Sequence, residues 1–250
     1  MDMPDPTFPP LLKGHDVESA DSAFRIACDK AATGTLGAGD VVWNRSTTRV
    51  EIAIILEPDV GLETAVQMLP LMAVALGDCL GSITPPQVGV TFLWPDMICV
   101  NGALAGQIQA AVATTDDDDA PPGWMVVGFE LAHLRSPDDP EPGDVPDRTW
   151  LSEEGCADLT RSEIIESCSR HFLTWINIWK DDGFRPVHDS WMFRNEQRDQ
   201  EITVEYRGEA LSGSFLGLDD SGNMLLKGPD GETRALLLAD YFKRFESTDE

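Results

Sequence analysis

Leu93-Trp94-Pro95-Asp96-Met97-Ile98-Cys99-Val100-Asn101-Gly102, continued by Ala103-Leu104-Ala105-Gly106, commits the middle of the chain to a sheet. Asn101-Gly102 separates two apolar runs. A two-residue type I′ turn needs positive φ at both positions, which Asn and Gly tolerate best, so the stretch predicts an antiparallel hairpin. Trp94-Pro95 has two readings, a strand end with a packed indole or part of a pocket wall. Asp96 likewise has two: a carboxylate that holds magnesium, an amine or a hydroxyl, or a solvated strand end.

Working outward, Arg49 to Leu56 reads as a strand apolar on both faces and stopped by Glu57-Pro58-Asp59. Leu62 to Leu80 reads as a buried helix, with Pro70 kinking it or marking its start. Asp16 to Ala32 carries Ala20, Ala23, Phe24, Ala27 and Ala31 at helical spacing. Gly34, Gly37 and Gly39 then break the pattern before a short strand, Val41-Val42-Trp43. On the other side, Asp116 to Asp119 reads as a hydrated loop rather than a calcium site. Trp124 to Leu134 reads as a strand, and Ser136 to Pro146 as a loop. Thr160-Arg161-Ser162-Glu163 is a capping box opening a helix to about Lys180, its core face marked by Ile164, Ile165, Cys168, Phe172, Trp175, Ile176 and Trp179. His171 there fits a polar contact or an exposed edge better than a metal site. After Gly183 the chain turns to short strands and tight turns, which predict a small SH3-like β-barrel. The expected organisation is an α/β (α+β) domain over residues 1–182, a mixed sheet with helices, followed by the barrel over residues 183–250.

The chain has 250 residues and a formal net charge of −26. Residues 1–182 hold 10 Lys and Arg against 30 Asp and Glu; residues 183–250 hold 8 against 14. That sign excludes a generic nucleic-acid binder, which needs cations to displace phosphate counterions, and opposes an anionic membrane surface. No uninterrupted apolar run reaches the roughly 20 residues that span a bilayer. The acidic, proline-rich start does not read as a signal peptide. Cys28, Cys79, Cys99, Cys156 and Cys168 form no CxxC pair, and they read as reduced structural thiols of a cytoplasmic protein. No Lys or Arg occurs from Val50 to Leu134.

The stretch from Leu93 to Gly106 resembles the strand–hairpin signature of the biotin and lipoate protein ligases, typically Lys-Trp-Pro-Asn-Asp, a few apolar residues, Gly, a lysine-bearing turn and Ala-Gly. Other blocks follow in the family's order. Gly37 to Trp43 resembles its Gly-rich loop before an aromatic. Val126-Val127-Gly128-Phe129-Glu130-Leu131 echoes its VVVGIGIN strand, and Thr149 to Gly155 its Thr- and Glu-Glu-Gly-containing loop. Gly183-Phe184-Arg185-Pro186, Trp191, Gly213 to Asp219 and Gly222 resemble its small C-terminal domain. The resemblance implies adenylation of biotin or lipoate by ATP with Mg2+, then transfer to a lysine of a biotin- or lipoate-carrier domain. It also implies a ligand site at Gly37, Gly39, Trp43, Trp94, Pro95, Asp96, Asn101, Gly102 and Gly106, the small carboxylic acid lying along the sheet under the Gly-rich loop.

The departures cluster on that chemistry. A carboxylate attacking an α-phosphate brings anions together, and fixed cations and N–H groups must offset the repulsion. The loop here is Gly37-Ala38-Gly39-Asp40, an acid where the family has arginines. The turn from Gly102 to Gly106 has no lysine, the leading Lys is Leu93, and the Asn-Asp pair is Asp96-Met97. Asp96 is left as the candidate catalytic carboxylate. Lys30, Arg45, Arg49, Arg185 and Arg194 are nearby or second-domain cations without a family role. Three functions follow from these residues: an active ligase with other cations, a ligase-like protein that binds a small ligand or carrier domain without catalysis, and, more distantly, a cysteine acyltransferase.

Overall fold

The computed structural model describes residues 4–114 and 119–245. The expected acidic loop therefore lies outside the described residues except for Asp119. Among the described residues, twelve strands form two sheets, with five α-helices. In chain order they are β1 (Lys13–Val17), α1 (Ala23–Ala32), β2 (Asp40–Asn44), β3 (Arg49–Leu56), α2 (Leu62–Ala65), α3 (Met68–Ile83), β4 (Val90–Leu93), β5 (Met97–Val100), β6 (Ala103–Ala113) and β7 (Met125–Ala132). They continue with α4 (Arg161–Asp182), α5 (Arg185–Phe193), β8 (Glu201–Tyr206), β9 (Glu209–Leu218), β10 (Met224–Lys227), β11 (Thr233–Leu236) and β12 (Lys243–Phe245).

The large sheet runs β1-β2-β3-β7-β6-β5-β4, with β12 added to β6. It is mixed: β1 pairs parallel with β2 and β12 with β6, and the other pairs are antiparallel. Its central strands are apolar on both faces because helices cover both, as a doubly buried strand requires. α1 lays Ala23, Phe24, Ala27, Cys28 and Ala31 on Val42, Ala53, Ile55, Ala111 and Val126. The opposite face carries α2 to α5 and the larger core. Asp78 of α3 ties those helices together, accepting from Trp175 Nε1 of α4 at 2.8 Å and from Arg194 Nη2, just past α5, at 2.6 Å.

The hairpin forms as expected, with Asn101 at φ 50° and Gly102 at φ 86°. The Thr160 capping box closes in both directions. Pro70 sits in the first turn of α3 rather than at a kink. The stretch Leu62–Ile83 is long and apolar enough to cross a bilayer, which the composition alone did not suggest, but it is mostly buried inside the protein.

Two elements differ from expectation. The first helix starts at Ala23, not Asp16, because Ser22 caps it and the Glu51 carboxylate accepts the Phe24 N–H at 3.1 Å. Residues 13–17 become an edge strand instead. After Gly183 a helix, α5, comes before any strand; Pro186 opens it, and Val187 and Trp191, four residues apart, bury against the core. The small sheet is a four-stranded antiparallel meander, β8 to β11, while the last strand returns to the large sheet.

Candidate ligand-binding site

Period-2 alternation decides which residues can meet. On the α1 face of the sheet, Ile55, Val126 and Ala111 form one cross-strand row, which α1 covers. Further out lies the row Glu51–Glu130–Gln107–Met97, across β3, β7, β6 and β5, and beyond it the pair Arg49–Ala132. A cavity of about 410 Å³ opens over these outer rows, lined among others by Arg49, Met97, Gly106, Gln107, Glu130 and Arg148.

Its rim is tied to the hairpin. Residues 147–149 run beside the start of β6: Leu104 N donates to Asp147 O at 2.8 Å, and Thr149 N donates to Leu104 O at 2.9 Å. The Thr149 hydroxyl donates to Glu154, and Asn101 Nδ2 donates to the other oxygen of that carboxylate at 2.6 Å. Asn101 Oδ1 in turn accepts from Gly89 N at 2.8 Å. Gly106 permits the close approach of β7, since a Cβ there would stand 2.2 Å from Glu130 O.

Two carboxylates lie opposite each other in the floor. Glu51 is 1 % exposed and accepts from Ser22 Oγ at 2.8 Å, with Arg49 Nε at 3.5 Å. Arg49 also donates to Asp21 O at 2.7 Å. Glu130 is half-buried, and among the described residues its carboxylate has no hydrogen-bond or ion-pair partner. Burial first, and then the Glu51 charge, pushes the Glu130 carboxyl above its ordinary range, with Arg49 opposing. Arg148 is exposed at the rim and, among the described residues, is in no ion pair.

Of the residues expected to bind ligand, Gly106 lines this cavity. Trp94 and Pro95 do not. Trp94 is buried, donates from Nε1 to Gly222 O at 3.1 Å and meets Tyr241 edge-on at 4.7 Å, so it joins the sheet to the C-terminal segment. Pro95 is buried beside it, across a cis peptide bond. Trp43 faces away because it pairs with Ile52, one residue out of phase with the floor; the guanidinium groups of Arg45 and Arg161 lie 5.1 and 5.0 Å from its ring. Asp96 is half-buried and is not among the residues that line this cavity; its charge bears on Tyr241. Asn101 and Gly102 build the turn.

Gly37 and Gly39 stand at the wrong end of the sheet. Gly39 N donates to Ile55 O at 3.0 Å, and Ile55 is six residues along β3 from Arg49, about 20 Å at a strand's ~3.3 Å per residue. The loop's amides are also occupied: Gly37 N donates to Asp40 at 2.9 Å and Ala38 N to Glu57 at 3.3 Å. Of the named cations, only Arg49 reaches the cavity. Arg45 is held by Asp5 and Asp16, Arg194 by Asp78, and Arg185 and Lys30 are exposed elsewhere.

Residues 8–193 match the biotin/lipoate A/B protein ligase family and residues 199–244 the biotin protein ligase C-terminal domain. The chain belongs to the biotin/lipoate protein ligase family. A structure described as a biotin protein ligase-like protein of unknown function, from Silicibacter sp. TM1040, is 35% identical, with a TM-score of 0.85 over 95% of this chain and 99% of that one. A curated biotin--[acetyl-CoA-carboxylase] ligase of Paracoccus denitrificans is 28% identical over 71% of this chain and 73% of its own. The biotin protein ligase of Aquifex aeolicus, at 16% identity, shares the fold, with a TM-score of 0.73 over 90% of this chain and 96% of that one.

Set on the ligase family's VVVGIGIN strand, Gly128 falls on its first glycine, Glu130 on its second and Ala132 on its asparagine. Glu130 thus adds a carboxylate where the ligase pattern has no side chain. It was also legible without the family: it is the one charged residue from Trp124 to Leu134, in a strand that is otherwise almost all buried. Arg148 carried no such signal, since nothing in a Pro/Asp-rich loop marks one arginine as a rim residue.

Proposed function

We propose that this member of the ligase family binds a small carboxylic acid in the cavity beside residues 147–149 and does not adenylate it. The observation that carries this reading is the lining of the cavity, which among the described residues holds Arg49 and Arg148 but no lysine, with Arg49 engaged by Glu51 and by Asp21 O. A carboxylate attacking an α-phosphate needs fixed cations around it, and this lining adds the Glu130 carboxylate instead, so ATP and its magnesium do not fit it. The loop of Gly37 and Gly39 lies about 20 Å away and has no part in this site. What these residues can do is bind. Arg148, in no ion pair among the described residues, offers a cation to a carboxylate at the rim, and the Thr149–Glu154–Asn101 contacts hold the rim in place beforehand, which lowers the ordering cost of binding.

Thermal unfolding with a panel of biotin, lipoate, octanoate and 6-aminohexanoate tests the reading. At 100 times Kd a ligand adds about 2.7 kcal/mol to stability. At least one acid is expected to raise Tm without nucleotide. No shift from any acid, or a shift that needs ATP and magnesium as well, contradicts the proposal.

One observation favours a second reading, an active biotin or lipoate ligase working on a carrier domain. Arg49 and Arg148 both line the cavity and bring back two of the cations that the family motifs lack here. Acid-dependent pyrophosphate exchange would select it.

A further inference from the structure

The cavity floor is not neutral. Glu130 lies between Glu51 and Gln107 in one cross-strand row, has no partner among the described residues, and sits one strand from a carboxylate that is already satisfied by Ser22, Phe24 and Arg49. Arg49 makes its contacts with that carboxylate and with Asp21 O, so its charge only partly offsets that of Glu130. A ligand that brings only apolar atoms or a second carboxylate to this floor would leave Glu130 half-buried and uncompensated, or add to the repulsion. A ligand that brings an ammonium group gives it an ion pair, with the Gln107 amide oxygen as a further acceptor on the same row.

The rim supplies a cation, Arg148, alongside Asp139, whose carboxylate already accepts from Ser136 N at 2.7 Å. Arg148 pairs with Leu104 on β6, and Glu130 with Gln107 on the same strand, three residues further on. The two positions are therefore about 10 Å apart along β6 at ~3.3 Å per residue. Side chains that lean into the same cavity shorten the gap between the charged ends. An α-amino acid, whose charges are adjacent, cannot serve both ends, whereas a chain of several methylenes can. The apolar stretch between is met by Met97, Ala105 and Leu104.

We infer that the cavity takes an ω-amino carboxylic acid, with its ammonium end against Glu130 and Gln107 and its carboxylate against Arg148. This rests on the proposed binding function and narrows its ligand: the family's acids have no ammonium end, and the carboxylate at position 130 selects against them.

Isothermal titration of the full chain with 6-aminohexanoate, hexanoate, hexylamine and biotin tests it. For the natural sequence, 6-aminohexanoate is expected to bind at least tenfold tighter than hexanoate or biotin. Glu130→Gln should remove that preference and leave hexanoate unchanged or tighter. Arg148→Ala should weaken 6-aminohexanoate and hexanoate alike while sparing hexylamine. Glu130→Gln is nearly isosteric, and circular dichroism of the variant checks that it folds. Hexanoate or biotin binding as tightly as 6-aminohexanoate, no detectable binding of 6-aminohexanoate, or a Glu130→Gln variant that keeps the preference would each overturn the inference. The first of these leaves the small-acid binding function standing, whereas acid-dependent pyrophosphate exchange overturns that function whatever Glu130 selects.

Discussion

Burial and the neighbouring Glu51 hold the Glu130 carboxyl above its ordinary range, so its charge has a consequence for stability as well as for binding. An acid whose pKa is raised on folding contributes stability that is fully present below its unfolded pKa, about 4.3, and lost as pH rises through the folded value. Glu130→Gln is therefore expected to be more stable than the natural chain at pH 7, with the difference shrinking as pH falls towards 4. Urea unfolding at a series of pH values measures it, and an unchanged difference across the range would contradict the assignment. Trp94 makes the opposite case, a residue singled out for ligand that serves packing. Trp94→Ala should cost about 3–5 kcal/mol, as large core truncations do, and Trp94→Phe much less, losing mainly the hydrogen bond to Gly222. A motif match marked Trp94 without saying which way it faces. Trp43 was legible as a strand residue, but its side of the sheet depends on register, and one residue of phase reverses it.

Among elements, those specified by local chemistry were readable. Arg49–Leu56 is a strand because its apolar run suits burial on both faces, and α4 starts where Thr160 and Glu163 satisfy each other's backbone amides. Thr160→Ala is expected to lower stability by about 1 kcal/mol, seen as a fall in Tm, and Glu163→Ala should show much of the same effect because the two groups act together. Elements specified from a distance were not readable. α1 begins at Ala23 because Glu51, on a strand 28 residues away, takes the Phe24 amide. The rim works the same way: Glu154 links Thr149 to Asn101, so the hairpin holds the loop that carries Arg148. Glu154→Ala should speed amide exchange at Leu104 and Thr149, whose hydrogen bonds close the rim, while leaving β3 and β7 protected. Exchange raised evenly through the sheet would mean that Glu154 supports the whole fold instead.

Over the whole molecule, sequence order carried the family: blocks from Gly37 to Gly222 come in ligase order, and the fold agrees. What sequence order did not carry was distance across the sheet. The Gly37–Gly39 loop and the Ala105-Gly106 pair of β6 both resemble ligase blocks, yet the sheet sets them at opposite ends, and only the pair in β6 borders the cavity. The net charge of −26 repels nucleotides at long range and, through self-repulsion, opposes compaction at low salt. Stability is therefore expected to rise with added salt up to physiological ionic strength, where the Debye length falls to about 8 Å; a salt-independent midpoint would show that local ion pairs already offset the repulsion. As proposed above, the cavity binds a small acid without the cations needed to activate it with ATP. The decisive measurement is pyrophosphate exchange by the purified chain with ATP, magnesium and each of biotin, lipoate, octanoate and 6-aminohexanoate. Exchange is expected to stay at the acid-free background with every one of them, and exchange that depends on any one of these acids would show that the fold still activates an acid.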